Sequence, residues 1–134
     1  MNLSEASELL LSIAGMRVEL HETRSASFNR WLVGEHVIAW HRALSKKDLQ
    51  ALMLAARASG REVSAGVLAG DVMAIYTDNV EEKEAWILEA PETCFDSPHF
   101  AGYPAVLIDV ERADRQVVLE IADGHADRIK AASN

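Results

Sequence analysis

Cys94, Ser97 and His99 place a thiol, a hydroxyl and an imidazole in one short segment, Cys94-Phe95-Asp96-Ser97-Pro98-His99-Phe100-Ala101-Gly102-Tyr103-Pro104. A nucleophile beside a base is the minimum for acyl transfer. The spacing here argues against it. Side chains two positions apart rarely face each other, and no glycine-flanked elbow surrounds Ser97 or Cys94. The residues read instead as a loop histidine holding a turn through backbone hydrogen bonds, beside a cysteine that acts as a small apolar side chain. No catalytic residue is expected, and the protein is read as acting by binding.

Metal chemistry meets a geometric obstacle. A two-residue loop at Gly34-Glu35 pairs Val33 with His36, Trp31 with Ile38 and Asn29 with Trp40 on one face of a hairpin. His36 and His41 are then expected on opposite faces, because side chains alternate along a strand. No paired cysteines, His-Glu-x-x-His pattern or acidic calcium loop occurs. No metal and no cofactor are expected.

Two binding constellations remain. Arg30, Arg42, Lys46 and Lys47 lie on the hairpin and at the start of the following helix. Free N–H groups and the positive dipole end at that helix start offer a phosphate seat. Trp31 and Trp40, expected on one face, stack on bases if they are exposed; otherwise both are core and the basic residues are simply solvated. The alternative is a pocket for a small molecule or a protein. Its rings would be Trp31, Trp40, Phe95, Phe100 and Tyr103, edged by Ser97 and His99.

These residues need elements to hold them. Asn2 with Glu5 three positions on forms a capping-box pattern ahead of Leu3, Ala6, Leu10 and Ile13 at helical spacing. Strands are expected over Arg17 to Glu22, Phe28 to Val33 and His36 to His41. Ser45 and Asp48 mark a helix ending at Ser59-Gly60, and residues 60–70 read as a long loop. A strand from Val72 to Tyr76 precedes a helix that starts at Asp78 or Asn79 and stops before Pro91. The proline-rich loop leads into a strand from Ala105 to Val110. Asp114 caps a last helix that Gly124 is expected to weaken or bend. The order is α-β-β-β-α-β-α-β-α: an α+β fold with an antiparallel sheet and helices packed on one side. Residues 1–134 read as a single domain.

Composition bounds the partners. The 134 residues are 49% hydrophobic and 25% charged, the balance of a globular domain, and no apolar run is long enough to span a bilayer. Cys94 alone cannot form an internal disulfide. With no basic region ahead of an apolar one at the start, this points to a cytoplasmic protein, without a membrane partner. The net charge of −8 is uneven. Residues 1–61 carry eight basic and six acidic side chains, a net of +2, while residues 62–134 carry five and fifteen, a net of −10. Any anion should therefore bind in the first half.

The chain resembles the YjbR/MmcQ family. The similarity lies in Trp31 to Trp40, Leu44-Ser45-Lys46-Lys47-Asp48-Leu49 and Glu82-Lys83-Glu84-Ala85 followed by Pro91. It is most specific in Ser97-Pro98-His99-Phe100 and Gly102-Tyr103-Pro104-Ala105-Val106-Leu107. The resemblance implies a CyaY-like, or double-wing, α+β domain and DNA binding as its function, with no catalytic residues to carry over. Strong net acidity predicts that any DNA binding is weak and salt-sensitive. A monomer or weak dimer is expected.

Overall fold

The computed structural model describes residues 1–133. Asn2 Oδ1 accepts the Glu5 N–H at 2.8 Å while Glu5 Oε1 accepts the Asn2 N–H at 3.1 Å. This reciprocal cap starts α1 (Leu3–Leu11). Three strands follow as a meander: β1 (Met16–Glu22), β2 (Ser27–Val33) and β3 (His36–His41). Gly34 takes φ +59° between β2 and β3 while Glu35 stays at negative φ, the sign pattern of a type II′ turn.

Ser45 caps α2 (Lys46–Ala58) by accepting the Asp48 N–H at 3.2 Å. Residues 60–70, expected as loop, contain a short helix, α3 (Ala65–Leu68), capped by Ser64. Gly66 explains why this turn is easy to miss. A Cβ there would fall 2.8 Å from the Cβ of Glu111, so α3 is set by close approach to a distant segment. Then come β4 (Val72–Tyr76), α4 (Val80–Glu89) capped by Asn79, and a two-residue strand, β5 (Cys94–Phe95), that the sequence pattern does not signal. β6 (Ala105–Asp109) leads to α5 (Arg115–Ala132), capped by Asp114. α5 runs unbroken through Gly124.

The α+β architecture is as expected, with one sheet in the order β1-β2-β3-β4-β6-β5 and every neighbouring pair antiparallel. Two apolar clusters lie on its faces. One packs Trp31, Val33, Ile38, Met73, Ile75, Val106 and Ile108 against α1 and α5, with Trp86 and Ile87 of α4 at its margin. The other packs Val72, Ala74, Leu107 and Phe100 with Val67 of α3 and the half-buried Leu49 and Leu52 of α2. One-sided packing thus describes α1, α4 and α5, while α2 and the short α3 help cover the opposite face. β4 and β6 are buried on both faces, which is why they read as unbroken apolar runs.

The hairpin register departs from the expected one at a single point. Val33 pairs with His36 and Leu32 with Val37, but Trp31 then pairs with Ala39 and Arg30 with Trp40. Ile38 is therefore an extra residue, a β-bulge in β3. One inserted residue reverses the faces beyond it. Trp31 turns into the α1/α5 core, where its indole N–H donates to Ser7 Oγ at 3.0 Å, and Trp40 turns to the opposite face. The two tryptophans do not share a face. The same bulge brings His36 and His41 to one face, but five positions apart, about 16 Å along the strand.

Candidate functional site: an aromatic cleft at the end of the hairpin

The bulge presents Trp40, and two positions on Arg42, to the face opposite α5. The Arg42 backbone N–H donates to Val72 O at 2.8 Å and so continues the β3–β4 pairing past the end of β3. Trp40 packs on Tyr76 (ring centroids 4.8 Å apart) and Phe100 (6.2 Å). Tyr103 extends the cluster, 5.9 Å from Phe100 and 6.1 Å from Tyr76, with the two phenol oxygens 3.0 Å apart. Burial first, and then Tyr103, pushes the Tyr76 phenol up to about 12.

A cleft of about 540 Å³ opens over this cluster. Trp40, His41 and Arg42 line one side, His99, Phe100 and Tyr103 another, and Ala26 with Ser27 and Phe28 at the start of the neighbouring strand close it. Phe28 is held edge-on against His21, with centroids 5.3 Å apart. The Arg42 guanidinium lies 5.7 Å from the Phe100 ring centroid, a cation–π distance, and forms no ion pair among the described residues. None of the lining residues is acidic.

Lys83 fixes the loop wall. It is fully buried, and its Nζ reaches Phe100 O at 2.5 Å, Tyr103 O at 2.9 Å and Asp96 Oδ1 at 2.9 Å. Three ammonium protons meet three acceptors, all in the segment 96–103. Asp48 attaches the same loop to α2. Its sequence position suggested the reciprocal half of a cap, but its carboxylate turns away to accept the His99 backbone N–H over a long 3.4 Å. Asp48 Oδ2 and Ser97 Oγ are both buried without hydrogen-bond partners.

The sequence-derived pocket residues therefore separate. Trp40, His99, Phe100 and Tyr103 line the cleft. Trp31 is buried on the other face. Ser97 is buried beneath the loop, and Phe95 lines a different groove of about 400 Å³ between α2 and β5. Phe28 joins the cleft unanticipated, because its alignment with Trp40 depends on the bulge. Cys94 is buried, and burial pushes its thiol up to about 12.

The basic residues separate as well. Arg30 pairs with Glu19, which Arg17 also contacts at 2.9 Å, and together they hold that carboxyl below its usual range. Lys46 and Lys47 are exposed in the first turn of α2 and make no ion pair among the described residues. Arg42 belongs to the cleft. Lys83 escaped sequence reasoning, although a signal was present: it is a lone cation in the first turns of an otherwise acidic helix, where the dipole disfavours it.

No known family model matches the chain, and no solved structure matches it. The chain is 38% identical over 78 residues to an uncharacterised protein of Mycobacterium bovis and to uncharacterised proteins from two strains of Mycobacterium tuberculosis. The match covers 58% of this chain and 54% of each relative, so the chain spans about half the length of the curated relatives it matches. Among the described residues no helix is long and apolar enough to cross a membrane.

Proposed function

We propose that the protein is a non-catalytic binding module whose ligand occupies the cleft between the hairpin and the 99–103 loop. The observation that carries this reading is the half-buried Arg42, set among Trp40, Phe28, His99, Phe100 and Tyr103 without a carboxylate partner among the described residues. Ring-lined concavities with one or two polar anchors are the usual form of small-molecule sites. The loop wall is held by Lys83, so the cleft is shaped before any ligand arrives. A monomeric or weakly dimeric cytoplasmic protein fits this reading, in keeping with the buried, unpaired Cys94. Thermal-shift screening against a broad metabolite set tests it. A stabilising compound whose effect is lost in Trp40→Ala is the expected result, and a blank screen counts against the cleft.

A second reading, weak and salt-sensitive DNA binding, draws on the resemblance to the YjbR/MmcQ family and on the exposed Lys46 and Lys47. These follow Arg42 by a few positions and stand at the N-terminus of α2. Arg30 gives it little, being neutralised by Glu19. Fluorescence anisotropy with duplex and single-stranded DNA at two salt concentrations tests this reading. Binding that weakens steeply with salt supports it, and no binding at low salt removes it.

A further inference from the structure

We infer that the cleft takes a planar ring compound bearing an anionic group, of about mononucleotide size. The inference deepens the small-molecule reading and rests on it. Size is the first constraint: about 540 Å³ lies in the middle of the range that holds drug-sized ligands and is far more than a bare phosphate or acetate fills.

Shape is the second. The Trp40 and Phe100 rings lie 6.2 Å apart, tilted by 33° from each other, and give the cleft an aromatic floor in which Trp40 is the more exposed ring. Phe28 stands on the far side, and His99 and Tyr103 are exposed at the rim. A flat ring laid on that floor keeps a π-face against it, which a branched aliphatic compound does not.

Charge is the third. Arg42 is the one formally charged side chain among the lining residues, in a chain of net charge −8 carrying 21 carboxylates. The concavity thus presents a cation and no acid on an otherwise acidic molecule. The planar guanidinium fork matches a carboxylate or phosphate in two hydrogen bonds and is less hydrated than an ammonium. Its position over the Phe100 ring places that anionic group at the edge of the ring floor. Carboxylate and phosphate are two sources of the same chemistry.

Tryptophan fluorescence reports on this site directly. Trp40 lines the cleft, whereas Trp31 is buried on the opposite face and Trp86 packs at the margin of the α1/α5 core. The test titrates adenosine 5′-monophosphate, benzoate, adenosine and inorganic phosphate into the wild-type protein, Arg42→Gln and Trp40→Phe, with affinities from calorimetry and melting curves to confirm that each variant is folded. The expected result is saturable quenching by adenosine 5′-monophosphate or benzoate, at least tenfold weaker binding in Arg42→Gln, and loss of the optical signal in Trp40→Phe. Preference between the two anions assigns phosphate or carboxylate. Adenosine binding as tightly as its monophosphate, with Arg42→Gln indifferent, overturns the anionic-ring inference while leaving the cleft in use. Phosphate alone binding as tightly as the monophosphate overturns the ring requirement. Silence from all four probes overturns the inference. If the metabolite screen is blank as well, the small-molecule reading falls with it.

Discussion

Trp31 and Trp40 occupy opposite faces of the sheet because Ile38 is one residue too many for regular pairing in β3. Their roles separate accordingly. Trp31 is 2% exposed and anchors the α1/α5 core, so Trp31→Ala is expected to cost about 3–5 kcal/mol of stability, the range for truncating a large buried ring. Trp40 is half-buried, and Trp40→Ala is expected to cost clearly less while abolishing any ligand signal. Denaturant melts of the two variants decide it: equal losses would mean that Trp40 is a core residue like Trp31.

Lys83 joins α4 to the loop that walls the cleft, through Phe100 O, Tyr103 O and the Asp96 carboxylate. Lys83→Met removes the charge and leaves both carbonyls short of a donor, for an expected loss of about 3 kcal/mol. The loss should be local before it is global. The Thr77 N–H, which donates to Pro104 O, and the Tyr103 N–H, which donates to Phe100 O, should exchange with solvent faster, while Trp31 and its surroundings keep their protection. Uniformly faster exchange would show that Lys83 supports the whole fold and not this loop in particular.

Features written in neighbouring residues were legible in the sequence. The Asn2–Glu5 box, the Ser45, Asn79 and Asp114 caps, the Gly34-Glu35 turn and the apolar runs of β4 and β6 each depend on contacts a few positions away. What escaped depends on distant partners. β5 exists because Cys94 and Phe95 lie against Ile108 and Leu107. α3 is shaped by Glu111 meeting Gly66. The bulge at Ile38 has no local marker, and through it the pairing of the tryptophans and of the two hairpin histidines was misassigned. Of the candidate site, the ring-rich loop and Arg42 were visible, but not the strand face that brings Phe28 and Trp40 to them.

Gly66 supplies a sharper test of tertiary override. Gly66→Ala would strengthen helix propensity in isolation, by about 1 kcal/mol. In the folded chain the added Cβ meets Glu111 Cβ at 2.8 Å, so Gly66→Ala is expected to destabilise. Glu111→Gly, combined with Gly66→Ala, should recover part of the loss that the two changes would incur independently. Additive effects in this double-mutant cycle would rule out the close approach as the cause.

His125 sets a pH dependence. Burial first, and then Arg128 and His36, pull the imidazole below its ordinary value of 6.5, against Glu82 and Asp78, which raise it. Its ring stacks on Tyr76 at 5.8 Å, and Nδ1 is buried without a partner. A depressed base binds its proton more readily in the unfolded chain, so stability should fall as pH drops from about 7 through 6.5 toward the folded value, and be insensitive to this group above 7. Asp109 acts with the opposite sign at lower pH: its carboxyl is raised, chiefly by burial, so its protonation favours the fold. Comparing wild type with His125→Gln isolates the histidine. The variant should lose the acid-side slope between pH 7 and 5, and an unchanged slope would assign it to another group.

Lys46 and Lys47 separate the two binding readings. Both are exposed in the first turn of α2 and lie outside the residues lining the cleft. Replacing both by glutamate removes two positive charges and adds two negative ones at the proposed phosphate seat. DNA affinity, if it resides there, should vanish in a gel shift at low salt, whereas small-molecule binding at Arg42 should change much less, because neither lysine lines the cleft. Retained DNA affinity would move the nucleic-acid surface elsewhere on the molecule. Loss of small-molecule binding in the same variant, with its melting curve unchanged, would instead join α2 to the cleft as one extended anion site.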